Sequence, residues 1–175
     1  MAFIKNLAAP FLAAAVLAAC GGGSGTTANY QNDKERIAAL EADGKLPKLD
    51  RSTDLKGPDA NSDGVRDDIE ASLKGQFQGA QLGATMQFAR AYQQVFDLPE
   101  GDRIAAKTLK IEGSRASNCL FDQFNSATRE TNPYVVSDSI VSMTFNTKAR
   151  LKAYMAYNKA LSGSVWSLPE GDTCE

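Results

Sequence analysis

Between residues 59 and 70 the chain reads Asp59-Ala60-Asn61-Ser62-Asp63-Gly64-Val65-Arg66-Asp67-Asp68-Ile69-Glu70, with oxygen-bearing side chains at alternate positions and a carboxylate at the end. Such spacing suits a hard divalent cation, which takes roughly six to eight oxygens from a loop able to wrap around it. Asp59, Asn61 and Asp63 supply side-chain oxygens at loop positions 1, 3 and 5. Val65 offers its main-chain carbonyl at position 7, Asp67 an oxygen at position 9 directly or through water, and Glu70 a bidentate carboxylate at position 12. Gly64, at position 6, permits the sharp turn. The five carboxylates of this segment repel one another unless a cation sits among them, and Ca2+ is the expected one. The same residues also read as a solvated acidic turn leading into a helix with an acidic first turn, which needs no metal. The match at every specified position of D-x-[DN]-x-[DN]-G-x5-E favours the cation.

Other chemistries find less support. Histidine is absent from all 175 residues, which removes the usual general base near neutral pH and the commonest transition-metal ligand. No SxxK, GxSxG or HExxH motif and no phosphate-cradling glycine loop occurs. A hydrolase built on acidic residues is the alternative such a chain leaves open, and a calcium-responsive regulatory protein is another. The sequence favours a non-catalytic binding or structural module over both. With 19 basic against 21 acidic residues and no Lys/Arg run, nucleic acid is not an expected partner.

Residues 1–19 read as a signal peptide: Lys5 precedes an apolar, alanine-rich stretch from Leu7 to Ala19, too short to span a bilayer comfortably. The stretch ends in Leu17-Ala18-Ala19-Cys20-Gly21, which resembles the lipobox of bacterial lipoproteins. The resemblance implies that Cys20 receives a diacylglycerol, that cleavage falls before it, and that the membrane is reached through this N-terminal lipid. Gly21 stands where the family's inner-membrane retention signal places Asp. The implied location is therefore the cell envelope, at the outer membrane, facing the periplasm or the cell surface, with another envelope protein as a possible partner. Residues 20–31 comprise this Cys and a Gly/Ser/Thr-rich tether.

The loop at 59–70 resembles those of EF-hands, and among them the unpaired loops of thrombospondin type 3 repeats and dockerins. Pro58 disfavours helical geometry at Gly57, so no entering helix is expected, while an exiting helix starts near Asp68. Position 8, aliphatic in paired hands, is Arg66, and no second loop of this pattern occurs in the chain.

Residues 32–175 have the composition of a single domain, and its fold class is expected to be all-α, a small helical bundle. Asn32 with Glu35 forms an N-terminal signal for a helix over 33–43, stopped by Gly44 and Pro47. Ile69, Leu73 and Phe77 stripe a second helix. After Gly79, Leu82, Met86, Ala89, Gln93 and Phe96 stripe a third. Further helices are expected over 102–127 and 147–161, the last opened by Asn146 or Thr147 and striped by Leu151, Tyr154, Met155, Asn158 and Leu161. Tyr154, Tyr157, Asn158 and Lys159 there read as ordinary amphipathic surface, with recognition as the sharper alternative. The pentapeptide Leu98-Pro99-Glu100-Gly101-Asp102 recurs as Leu168-Pro169-Glu170-Gly171-Asp172 and reads as turn chemistry. With Cys20 assigned to lipid, Cys119 and Cys174 remain, an even pair in an exported chain that predicts one disulfide.

Overall fold

In a computed structural model of the chain, the residues described are 32–125, 128, 131–167 and 169–175. They form six α-helices: α1 (Asp33–Ala42), α2 (Asp67–Gln76), α3 (Gly79–Gln93), α4 (Arg103–Gln123), α5 (Pro133–Thr144) and α6 (Lys148–Leu161). A single 3-10 turn, Gln94–Asp97, continues α3. No strand occurs among the described residues, so the all-α expectation holds.

Local chemistry sets the helix ends. The Asn32 side chain accepts from Glu35 N at 3.0 Å, which satisfies one free N–H of the first turn of α1, while its amide donates to the Glu35 carboxylate at 3.2 Å. Asp102 caps α4 by accepting from Ile104 N and Ala105 N, each at 2.9 Å. Thr147, not Asn146, caps α6. The turn before α4 closes with Asp102 N donating to Pro99 O, and Gly101 takes φ +77°, the left-handed value that residue types with a Cβ disfavour. Gly171, in the second copy of the pentapeptide, takes φ +82° in the same way; Leu168 of that copy lies outside the described residues.

α3 runs through the middle, packed against α2, α4 and α5, while α6 packs against α4 and the 3-10 turn. One apolar cluster gathers Ile69 and Leu73 of α2, Phe88 of α3, Leu120 of α4 and Ile140 of α5, with Phe77 and Phe124 meeting edge to face at 5.3 Å. A second joins Val95, Ala106, Leu109, Phe145, Tyr157 and Leu161. Tyr92 packs against both.

Four details differ from the sequence reading. The helix α5 has no counterpart in it, although Asn132 caps through Tyr134 N with Pro133 in the first turn, and Val136, Ile140 and Met143 are buried at helical spacing. α4 ends at Gln123, with Phe124 at its C-cap, so the helix expected to 127 stops short; residues 126 and 127 lie outside the described set. In α6, Leu151 and Met155 are exposed, and the inward face is Arg150, Tyr157 and Leu161. That helix buries a charged side chain, so an apolar stripe points to the wrong side of it. In α3 the buried residues include Ala84, Thr85, Gln87, Phe88 and Ala91, with Leu82 and Met86 only partly covered. A helix with neighbours on three sides has no single stripe.

Residues 44–66 contain no helix or strand, and two fully buried arginines organise them. Arg150 donates from Nη2 to the Asp50 carboxylate at 2.6 Å and to Asp54 O, from Nη1 to Asp50 O and the Asn146 side chain, and from Nε to Leu55 O. Arg66 holds the Asp68 carboxylate in a two-pronged contact, Nε to Oδ1 at 2.6 Å and Nη2 to Oδ2 at 3.0 Å. It also donates to Met143 O and Thr144 O, the free carbonyls in the last turn of α5, where positive charge suits the helix dipole. Asp50 N donates to the Asp68 carboxylate at 2.6 Å, joining the two groups.

The bond from Arg150, aided by Ser52, holds the Asp50 carboxyl below its ordinary range against the opposing effect of burial. A carboxylate with a depressed folded-state pKa contributes stability above its unfolded value that is lost as pH falls through the folded one. Removing the charge leaves Arg150 buried without its counter-ion. We therefore expect Asp50→Asn to cost about 3 kcal/mol at neutral pH. Its melting temperature should also fall less steeply than wild type's below about pH 4. Thermal melts from neutral pH down to pH 2 check both; parallel acid limbs would contradict the assignment.

Candidate metal centre

The twelve-residue loop lies directly before α2, which starts at Asp67, and no helix enters it. The absence of an entering helix expected from Pro58 is thus observed, with α2 following the loop. The Asp59 carboxylate accepts from Asp63 N at 3.2 Å and Gly64 N at 3.0 Å, drawing the middle of the loop back over its start. Asp63 accepts from Val65 N at 2.9 Å, and Asp67 from Ala60 N at 3.0 Å. Asp67 N reaches Pro58 O at 2.9 Å and closes the loop. Ser62 and Gly64 take φ +57° and +83°.

Asn61 occupies the middle. Its amide nitrogen donates to Asp63 Oδ2 at 3.0 Å and to Glu70 Oε1 at 3.1 Å, and its Oδ1 accepts from Asp63 N at 3.1 Å. The NH2 group therefore stands between two carboxylates, where a positive charge would gain most. Lys74, one turn beyond Glu70, pairs with the same Glu70 oxygen at 2.6 Å, and this hydrogen bond raises the lysine pKa. Burial pushes the Asp63 carboxyl up, but the bond from Val65 N, the Asn61 and Glu70 side chains and the Arg90 charge together hold it below its ordinary value.

The structure thus brings Asp59, Asn61, Asp63 and Glu70 together. Asp67 sits to one side at Ala60 N, and Val65 puts its side chain into the core. No group of three or more His, Cys, Asp or Glu side chains is arranged to hold a metal among the described residues. The donor set expected for calcium is wider than that, since it draws on an amide oxygen and a main-chain carbonyl. In chemistry the expected donors are hard and oxygen-only, which fits a cation such as calcium and disfavours soft metals.

Three residues whose types the motif does not specify shape this loop: two arginines and a glycine. Arg66, at position 8, anchors it beneath α5 as described above. Arg90 of α3 donates from Nε to Asp63 O at 2.8 Å and pairs through Nη1 with the Glu175 carboxylate. Gly57 takes φ +70°, and a Cβ there would meet Arg66 Cδ at 2.4 Å and Arg150 Nη2 at 3.0 Å. None of these roles is readable from the motif, although Arg66 in a normally aliphatic position is a signal that the loop is held differently.

The predicted disulfide is present: Cys119 of α4 is bonded to Cys174, with Cα atoms 4.9 Å apart. Gln87 Nε2 donates to Thr173 O at 2.9 Å beside it, so the last described residues are fastened to α3 as well as α4. Cys20, the expected lipid site, falls outside the described residues. No described helix is long and apolar enough to cross a membrane. Of the polar cluster noted on the last helix, Tyr157 is buried, Tyr154 half-buried, and Asn158 and Lys159 exposed. Comparison with protein-family models, with curated proteins and with solved structures finds no match to this chain.

At Gly64 a Cβ would stand 3.0 Å from Arg90 Cγ in addition to the left-handed backbone. We expect Gly64→Ala to lose about 1–2 kcal/mol of stability even without added cation. Urea unfolding in chelator checks this, and a midpoint equal to wild type's would remove the close approach to Arg90 as a constraint on the loop.

Proposed function

We propose that the chain is a lipid-anchored envelope protein whose loop at 59–70 binds calcium, the helical domain acting as a binding or structural module. The observation that carries the calcium reading is the Asn61 amide nitrogen lodged between the Asp63 and Glu70 carboxylates, with Asp59 folded over the same loop. A calcium ion entering there displaces the amide NH2 and the Lys74 ammonium, and the Asn61 side chain turns its oxygen inward. Asp59, Asn61, Asp63 and Glu70 hold the ion by their side chains, Val65 by its carbonyl and Asp67 directly or through water.

An unpaired loop of this kind binds at roughly 0.1–1 mM, because ligand charge is high while the loop lacks a partner hand to preorganise it. At calcium about a hundredfold above the dissociation constant, stability rises by roughly 2.7 kcal/mol. Asp59→Ala and Glu70→Gln should each abolish the calcium-dependent rise in melting temperature while leaving helical content unchanged, because neither contributes to the core clusters. Magnesium should substitute poorly, since its smaller shell demands near-octahedral geometry. Calorimetry with no heat and no melting shift up to about 10 mM calcium would leave the acidic-turn reading standing.

The anchor rests on Leu17-Ala18-Ala19-Cys20 behind an apolar segment. Several acyl chains on one residue make a stable attachment, at about 0.8 kcal/mol per buried CH2. Cys20→Ser should shift the exported protein from the detergent phase to the aqueous phase on phase partitioning and abolish labelling by a fatty acid. Wild-type protein that takes up no label would remove the lipid from the proposal and leave the calcium loop untouched.

A further inference from the structure

On the side of the molecule formed by α3, α4 and α6, a cavity of about 330 Å3 opens between the helices and the segment that follows α6. That size falls within the range of small-molecule sites, roughly 300–1,000 Å3. Its lining borders the second apolar cluster but adds polar atoms to it: Tyr92, Tyr154 and Tyr157 contribute rings and hydroxyls, Asn158 an amide, Trp166 an indole and Lys110 an ammonium. Tyr154 and Tyr157 are 6.4 Å apart between centroids, and Tyr92 and Tyr154 6.3 Å. No protein hydrogen bond engages the three hydroxyls among the described residues. Burial and the neighbouring Tyr154 phenol, with Asp138, push Tyr92 up to about 12. Burial and the other two phenols raise Tyr157 as well, so the Tyr92 and Tyr157 hydroxyls stay protonated and able to donate.

Lys110 is the telling group. It is half-buried, its Nζ lies 4.9 Å over the Trp166 ring, and it has no carboxylate partner among the described residues. Desolvation lowers its pKa accordingly. A partly buried ammonium of this kind carries a standing cost that an incoming anion removes. The Ser164 hydroxyl, also in the lining, is buried with no hydrogen-bond partner. The cavity thus presents one cation with an aromatic face but no carboxylate beside it, several free hydroxyls, one amide and flat aromatic faces.

We propose that this cavity is a binding site for a carboxylate-bearing sugar, a uronic acid or an oligosaccharide containing one. The carboxylate pairs with Lys110, and the ring hydroxyls exchange hydrogen bonds with Asn158, Ser164 and the tyrosines. The C–H face of the pyranose lies on an aromatic ring, whose negative quadrupole attracts it. An aromatic acid shares the carboxylate and the flat shape but leaves the amide and hydroxyls unanswered, which makes the sugar the better fit.

Trp166 is the only tryptophan in the chain, so its fluorescence reports on the cavity alone. Titration of the full chain with glucuronate or galacturonate, at fixed ionic strength, should give a saturable change. Glucose should bind at least about tenfold more weakly, because it lacks the charge-assisted bond. Lys110→Met should lose about tenfold or more of the uronate affinity with unchanged circular dichroism, since it removes an unpaired charge. Asn158→Ala, at an exposed position, should weaken uronate and glucose alike. No saturable response to either uronate overturns the site. So does equal binding of glucose and glucuronate, or uronate affinity unchanged in both variants. Saturation by benzoate without a response to uronates replaces the sugar with an aromatic acid and overturns the assignment.

Discussion

Withdrawing a guanidinium from water costs several kcal/mol unless its N–H groups find acceptors, and this protein withdraws two. Arg66 and Arg150 are both fully buried, and both pass the α-carbon of Gly57 within the space a methyl group would fill. Their acceptors are two carboxylates, one side-chain amide and five main-chain carbonyls, three of them from the stretch between α1 and the loop. A segment with no helix or strand has no internal ladder to satisfy its backbone, and here Arg150 satisfies the carbonyls of Asp50, Asp54 and Leu55. The arrangement depends on the forked, always charged guanidinium; a lysine offers one compact charge and too few donors at these distances.

The position of the loop at 59–70 follows from that network. In paired hands the residue at position 8 joins a second loop. Here Arg66 at that position holds Asp68, two residues further on, and the end of α5. Val65 on its one side and Ile69 on the other are core residues at 1% exposure, so the loop is stitched to the domain through its second half. Its first half, from Asp59 to Asp63, is fastened mainly by its own carboxylates and by Arg90. The half in which a cation would find most of its side-chain ligands is thus the half with the least core beneath it.

Much of the helical frame was legible because capping residues and periodic apolar positions are local signals. Asn32, Asp102 and Thr147 cap where their types suggest, and Ile69, Leu73 and Phe77 are all buried. The cysteine pair was legible by count. What escaped was long-range. The inward face of α6 is set by Arg150, whose partners lie about a hundred residues earlier, and no hydropathy pattern marks an arginine as core. In α5, Ser137, Ser139 and Ser142 between the apolar residues blur the stripe that Val136, Ile140 and Met143 make. Within the loop, the twelve residues told the donor types and their order. They did not tell that Asn61 would place its nitrogen between the carboxylates, or that α3 would reach in through Arg90. The tyrosine cavity combines residues from Tyr92 to Trp166, and only its α6 part was visible as a local cluster.

Helix α1 stands apart from everything above, for none of its ten residues is buried. Its attachment runs through Glu41, which pairs with Arg51 at 2.6 Å and accepts from Leu49 N at 3.4 Å. A helix of that length has little stability of its own in water. It can therefore open and close without disturbing the core, and its amides exchange with solvent at a rate set by local fraying instead of global unfolding. Cleavage within α1 would release a trimmed domain that keeps both apolar clusters, since neither draws on this helix. Far-UV signals, to which α1 contributes, and near-UV signals from the aromatic clusters will then report different transitions in the same molecule.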